Sequence, residues 1–243
     1  MATRLVNVIF GTTDPGALAE FWSKLLGWEV VAEHGEIDVR APSSQGWEFD
    51  LVFGEEAGAK TAPNRIHLDL ASASLDDQAA IIERARALGA EPVDIGQRDV
   101  PWEVMVDLEG NEFCVLEPRE VYSDTGALAA IVVNAQDAGE LAGFWSEAAG
   151  FRRSDKPAGD VGLRAPNGRG PWLEFQHGHA AKAARSRNRL HLDVRPFAGD
   201  DQAAEVARLC RLGARKLDIG QTDVPWEVMA DPEDNEFCVL SPR

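Results

Sequence analysis

Residues 64–119 recur at 188–243 with a constant offset of 124 and no gap, and 35 of the 56 positions are identical. Asn64, Arg65, His67, Leu68 and Asp69 return as Asn188, Arg189, His191, Leu192 and Asp193. Asn111, Glu112, Phe113 and Cys114 return as Asn235, Glu236, Phe237 and Cys238. Solenoid repeats run to roughly 20–50 residues, so a period this long marks a duplicated domain. The chain therefore divides into a first domain at 1–119, a linker at 120–127 and a second domain at 128–243. Whatever one half does, the other either repeats or supports.

Each half is long enough to bury a core, and 44% hydrophobic composition fits a globular protein. No apolar run reaches the roughly 18–20 residues of a membrane span. The apolar stretch after Met1 is short and runs straight into strand-like sequence, unlike a signal peptide. Cys114, Cys210 and Cys238 are odd in number and far apart, which argues against a disulfide framework and for a reducing cytoplasm. The net charge is −17, unevenly held: residues 1–124 carry 9 Lys and Arg against 24 Asp and Glu. Such a surface repels nucleic acid and anionic membrane, and both are excluded as partners. Arg185, Arg187 and Arg189 form too short a basic cluster to change that.

Each half reads as two β-α-β-β-β units. After a first strand at 5–10, Asp14 and Pro15 supply an N-cap and a first-turn proline. Leu18, Phe21, Trp22, Leu25 and Leu26 then fall at helical spacing, and Gly27 closes the helix. In the second unit Asp76 and Asp77 are expected to cap a helix with Ile82, Ala85 and Leu88 on its inner face. Asp137, Phe144, Trp145 and Gly150 restate the first helix in the second half. On the strand at 65–70, Ile66, Leu68 and Leu70 mark the helix-covered face, so Arg65, His67 and Asp69 share the other one. On the last strand, Phe113 and Val115 are covered, leaving Glu112 and Cys114 on the concave side. Whether Trp102 or Glu103, and Trp226 or Glu227, faces inward is not fixed by alternation.

The paired units, the Asp-Pro-started helix carrying Phe-Trp-Ser, and the Arg-Xaa-His-Leu-Asp strands resemble the vicinal oxygen chelate superfamily. So does the ending Asp231 to Phe237. Within it the chain looks like the glyoxalase-like, bleomycin-resistance-like branch, over nearly its whole length. The resemblance implies an α+β fold of four βαβββ modules forming two glyoxalase-like domains, each with a concave, incompletely closed sheet. Chemistry within that superfamily ranges over isomerases, dioxygenases, thiol transferases and drug-binding proteins. Carrying its metal-ligand positions over gives Asn7, Asp50, His67 and Cys114 in the first domain, and Ala130, Glu174, His191 and Cys238 in the second. Ala130 donates nothing, and cysteine replaces the final carboxylate in both copies. No metal is therefore expected; if one is bound, the donors are Asp50, His67 and Cys114, or Glu174, His191 and Cys238.

His67 and His191 are the leading candidates, either as ligand contacts or as histidines paired with a neighbouring carboxylate. Cys114 and Cys238 suit zinc but equally a buried, inert thiol. The sequence His177-Gly178-His179 reads as a surface loop. The expected ligand-binding set is Arg65, His67, Asp69, Trp102, Glu112 and Cys114, with Arg189, His191, Asp193, Trp226, Glu236 and Cys238 as its second copy. The reading is a tandem glyoxalase-like protein that binds a small, partly aromatic metabolite or antibiotic, its halves packed as an intrachain pseudo-dimer. The competing class is a metal-dependent lyase, isomerase or dioxygenase.

Overall fold

The computed structural model describes residues 3–33, 36–55, 60, 62–97, 99–155, 161–178 and 187–243. The first module holds β1 (Arg4–Thr12), α1 (Pro15–Leu26), β2 (Glu29–Glu33), β3 (Glu36–Arg40) and β4 (Asp50–Glu55). The second holds β5 (Ile66–Leu70), α2 (Leu75–Ala87), β6 (Glu91–Pro92), β7 (Glu103–Val106) and β8 (Glu112–Val115). The third holds β9 (Leu128–Ala135), α3 (Ala138–Ala149), β10 (Arg152–Asp155), β11 (Val161–Arg164) and β12 (Trp172–His177). The fourth holds β13 (Leu190–Arg195), α4 (Gln202–Arg211), β14 (Arg215–Lys216), β15 (Glu227–Ala230) and β16 (Glu236–Val239).

Local chemistry sets the helix ends. Asp14 accepts from the Ala17 amide and Asp137 from the Glu140 amide, while Gly27 and Gly150 close α1 and α3 with φ of 71° and 67°. Only glycine enters that left-handed region without a Cβ penalty. The cap of α2 is Ser74 rather than the expected Asp76 and Asp77. Its hydroxyl accepts from the Asp77 amide, and Asp77 reaches back to the Ala73 amide. An acid three residues after a serine N-cap lets two free amides be satisfied at once, which is why the start lies earlier.

The strands assemble across the halves. The first sheet has the order β14-β15-β16-β13-β1-β4-β3-β2, and the second β10-β11-β12-β9-β5-β8-β7-β6. Module one thus shares a sheet with module four, and module two with module three, through the antiparallel pairs β1–β13 and β5–β9. The expectation that modules of one half build one concavity is corrected here. One edge of each sheet-forming strand pair is supplied by the other half.

A single core lies between the sheets and takes residues from all four helices. Trp22 of α1 packs edge-on against Phe113 of β8 at 5.2 Å, and Trp145 of α3 against Phe237 of β16 at 5.3 Å. Each indole thus crosses to the other sheet. Their ring N–H groups donate to Asp107 and Asp231 at 3.2 Å. Burying each such side chain contributes about 1.5–3 kcal/mol, and the carboxylate meets the buried donor that would otherwise cost part of it.

Candidate functional site

The outward face of each sheet curves away from the core, and strand alternation decides what stands on it. Ile66, Leu68 and Leu70 enter the core as expected, leaving His67 and Asp69 on the concave side. Leu190, Leu192 and Val194 do the same for His191 and Asp193. Both open tryptophan questions are settled the same way. Trp226 and Val228 face the cavity of the first sheet, and Trp102 and Val104 pack on the concave side of the second. Glu103 and Glu227 point away, toward Arg86 at 3.6 Å and Lys216 at 3.0 Å.

The first sheet carries an open cavity of about 650 Å³. Across its floor runs one polar rung, Cys238–Asp193–Asn7–Asp50–Arg40, each paired in register with the next. The neighbouring rung is His191–Ile9–Val52–Asp38. His191 Nε2 lies 3.6 Å from Cys238 Sγ and 3.7 Å from Asp193 Oδ1. Asn7 donates its amide to Asp193 Oδ2 at 3.3 Å. Arg40 grips Asp50 with Nε at 3.2 Å and Nη2 at 3.1 Å, a two-pronged pair that ties up that carboxylate. Trp226 forms part of the wall, its ring N–H held by Gln221 at 3.0 Å.

Burial governs the electrostatics of the floor. It raises the Asp193 carboxyl to about 7, with the Asn7 amide and the Cys238 thiol opposing the rise. It lowers the His191 imidazole to about 4, assisted by the Arg187 charge. The Cys238 thiol is pushed well above its ordinary value by burial and then by Asp193. At neutral pH the floor therefore holds a neutral imidazole, a protonated thiol and a carboxyl poised between its two forms.

The second sheet repeats the elements and packs apolar side chains against its concave face. Its matching rung is Cys114–Asp69–Ala130–Trp172, with Ala130 and Trp172 where the first sheet has Asn7 and Asp50. Val104, Leu116, Tyr122, Val132 and Trp172 form a second apolar cluster over this face. Tyr122, from the short helical turn at Glu120–Tyr122, donates its hydroxyl to buried Glu174 at 2.9 Å. The Trp172 ring N–H donates to the Val121 carbonyl at 3.2 Å. Arg119 lies over the rings of Trp102 and Tyr122 at 5.5 and 5.9 Å. The segment joining the halves is thus a plug in the concavity of the second sheet.

Several expected site residues change company. Asp50 shares the first sheet with His191 and Cys238, whereas Glu174 shares the second with His67 and Cys114, the reverse of both expected donor sets. Glu174 is also not the counterpart of Asp50. Register places Trp172 there, and Glu174 stands where the first sheet has Val52, because the connection before β12 is two residues shorter. Arg65 and Arg189 are spent elsewhere. Arg65 pairs with Glu233 at 2.9 Å, and Arg189 pairs with Glu109. Glu233 already accepts from the Gln136 and Asp137 amides at the start of α3, and Glu109 from the Thr13 and Asp14 amides before α1. A carboxylate at a helix start is favoured by the exposed amides, and the arginine from the opposite half completes it. Glu112 pairs with Lys60 and accepts from the Asn64 amide at 3.2 Å; Glu236 likewise accepts from the Asn188 amide at 3.1 Å and lines the open cavity. His177, at the exposed end of β12, lies 2.9 Å from the Gln136 carbonyl, and His179 lies outside the described residues.

The glyoxalase-like domain family model matches residues 7–116 and again 130–240. The chain belongs to the glyoxalase-like domain family. Glyoxalase I from Zea mays superposes with a TM-score of 0.63 at 14% identity, covering 99% of this chain and 92% of that one. A putative dioxygenase from Bacillus subtilis subsp. subtilis str. 168 gives 0.66 at 12% identity, covering 99% and 86%. A glyoxalase/bleomycin resistance protein from Albidiferax ferrireducens T118 matches 47% of this chain and 98% of its own, with 21% identity and a TM-score of 0.36. No curated protein matches the chain. These likenesses place the fold in the vicinal oxygen chelate superfamily.

Glyoxalase-like membership raises the question of a divalent metal, and the floor of the first sheet fits one. His191, Asp193 and Cys238 offer nitrogen, oxygen and sulfur donors within 4.8 Å of one another, and Asp193 Oδ1 is buried with no hydrogen-bond partner. That is a zinc-type donor set. His67, Asp69 and Cys114 form the same trio in the second sheet, beside the apolar cluster around Tyr122. Alternation had already turned Asp193 inward. The role of Tyr122 carried no sequence signal, since it depends on where the connecting segment lands.

Proposed function

We propose that this glyoxalase-like chain binds a small, partly aromatic, polar-edged metabolite or antibiotic in the cavity of the first sheet, and that the second sheet holds no working site. The observation that carries this is the contrast between two faces built from the same repeat. One is hollow with a polar floor and an indole in its wall, and the other is packed by Tyr122, Val132 and Trp172. A concave, partly apolar pocket of a few hundred cubic ångströms with a few convergent polar groups is the usual form of a small-molecule site. Because each half supplies the other's strand partner, we further propose that the chain works as a monomer. Titration with aromatic metabolites should change the Trp226 emission. His191→Ala should weaken that binding by about 1–3 kcal/mol, the cost of losing one buried polar partner, while His67→Ala should leave it unchanged. Equal losses from both substitutions would contradict a single working site.

The unbonded Asp193 Oδ1 supports a second reading, a metal-dependent lyase, isomerase or dioxygenase. His191, Asp193 and Cys238 would hold the ion, which supplies Lewis-acid polarisation of a substrate oxygen. This chain's own contribution would be to orient the substrate against Trp226 and to present the donors deprotonated. Metal analysis of protein purified without chelator separates the readings. Stoichiometric metal that is lost in His191→Ala and kept in His67→Ala favours the enzyme; its absence favours the binding protein.

A further inference from the structure

The floor of the open cavity ends in an arrangement that a packed sheet does not need. Arg4 of β1 and Arg195 of β13 stand directly opposite each other in register, two like charges on one face. The bulge between Leu5 and Asn7 preserves this, keeping Arg4 on the same side as Asn7 while Leu5 enters the core. Like charges directly opposite on a sheet are destabilising. Arg195 lines the cavity together with Arg243, and its Nε is buried without a hydrogen-bond partner. Among the described residues Arg4 pairs with Glu48 at 3.4 Å, but that side chain is 82% exposed and such a pair is worth little. The other side of Arg4 is covered by the Phe197 ring at 5.3 Å.

The second sheet shows that the fold does not require these charges. At the equivalent places Ala71 and Ala127 face one another, joined by a backbone hydrogen bond of 3.0 Å. Arg4 Nη2 reaches the Arg243 carbonyl at 3.4 Å, but the Nε groups of Arg4 and Arg195 are both buried without a hydrogen-bond partner.

We propose that this end of the cavity is an oxyanion subsite in which Arg195, backed by Arg4 and Arg243, receives a carboxylate carried by the ligand. A planar carboxylate matches the guanidinium fork and would complete the buried donor. Trp226 lines the same cavity, so the subsite selects an aromatic or partly aromatic acid over its neutral analogue. This rests on the reading that the first-sheet cavity binds a small molecule.

The test uses matched probes: benzoate against benzamide, indole-3-carboxylate against indole-3-carboxamide, and inorganic phosphate. Binding to the whole chain is followed by calorimetry, Trp226 emission and melting temperature at constant ionic strength. Each acid should bind about tenfold or more tightly than its amide, as expected for a hydrogen bond to a charged group. In Arg195→Gln that preference should vanish while amide binding stays the same, and Arg195→Lys should keep part of it. Without ligand, Arg195→Gln should melt no lower than the parent, because it relieves a like-charge pair; a lower melting point would overturn the claim that the guanidinium is left short of a partner at Nε. Amides that bind as well as acids would overturn the subsite and leave the cavity reading standing. If no probe changes emission, heat or melting, both fall. Phosphate binding more tightly than either acid would overturn the carboxylate assignment.

Discussion

In metal-stripped protein the Asp193 carboxyl rises from 3.8 to about 7 and the His191 imidazole falls from 6.5 to about 4, both chiefly through burial. These residues tilt stability in opposite directions. Between the ordinary and raised values of Asp193 the folded chain keeps a proton that the unfolded chain releases. That contribution is present in acid and is lost as pH climbs toward 7. Over nearly the same window the unfolded chain keeps the proton that folded His191 gives up, so the histidine's contribution is lost as pH falls toward 4. The two slopes largely cancel. Asp193→Asn removes one of them, and its stability relative to the parent should rise between pH 4 and 7 by on the order of 2–4 kcal/mol, at about 1.4 kcal/mol per pKa unit. Urea midpoints for the two chains across this range check it, and parallel curves would contradict the electrostatics. The inward direction of both residues was legible from Leu190, Leu192 and Val194 alone. Their displaced proton affinities were not, because desolvation depends on walls built by β1, β3 and β16.

At the scale of elements, the plug over the second sheet is the feature that distinguishes two near-copies. Tyr122 is buried among Val132, Trp172 and Leu116, and its hydroxyl serves Glu174. Tyr122→Phe should cost about 1–2 kcal/mol for the lost hydrogen bond to a buried carboxylate. Tyr122→Ala should cost about 3–5 kcal/mol, by analogy with other buried aromatic truncations, and should leave a void able to take up a small aromatic solute. Denaturant melts with and without benzene check both, and a Tyr122→Ala chain as stable as the parent would deny the plug its packing role. The strand pattern showed which residues of β5 and β8 face this concavity. It did not show that the concavity is filled, since nothing in the local sequence of 119–125 says which sheet it lies against. The same limit misplaces Glu174: an offset of 124 sets it against Asp50, whereas the shorter connection before β12 brings Trp172 to that rung.

At the scale of the molecule, β1 has its antiparallel neighbour in the other half, and so has β5. A fragment of residues 1–119 would expose the β1 and β5 edges together with the apolar faces that pair through them. Such edges seek partners. The fragment should be unfolded or self-associated, and mixing it with residues 120–243 should restore a one-to-one species; light scattering distinguishes these from a stable folded monomer, the outcome that would contradict the interlocked sheets. The duplication, the four modules, the capped α1 and α3 and the inward set His67, Asp69, Cys114 and their second copy were determined by the sequence itself. Each depends on periodicity, capping or identity within a short stretch, and those are local. Which modules share a sheet was decided only by the tertiary structure. Modules two and four present nearly the same residues to a neighbour, so β1 meets almost the same partner in β5 as in β13. The choice is made by long-range strand pairing, by helices whose tryptophans cross to the opposite sheet, and by where the connecting segment comes to rest. That choice groups Asn7 and Arg4 with His191, Asp193 and Arg195, and gives one concavity a polar floor and the other an apolar cluster.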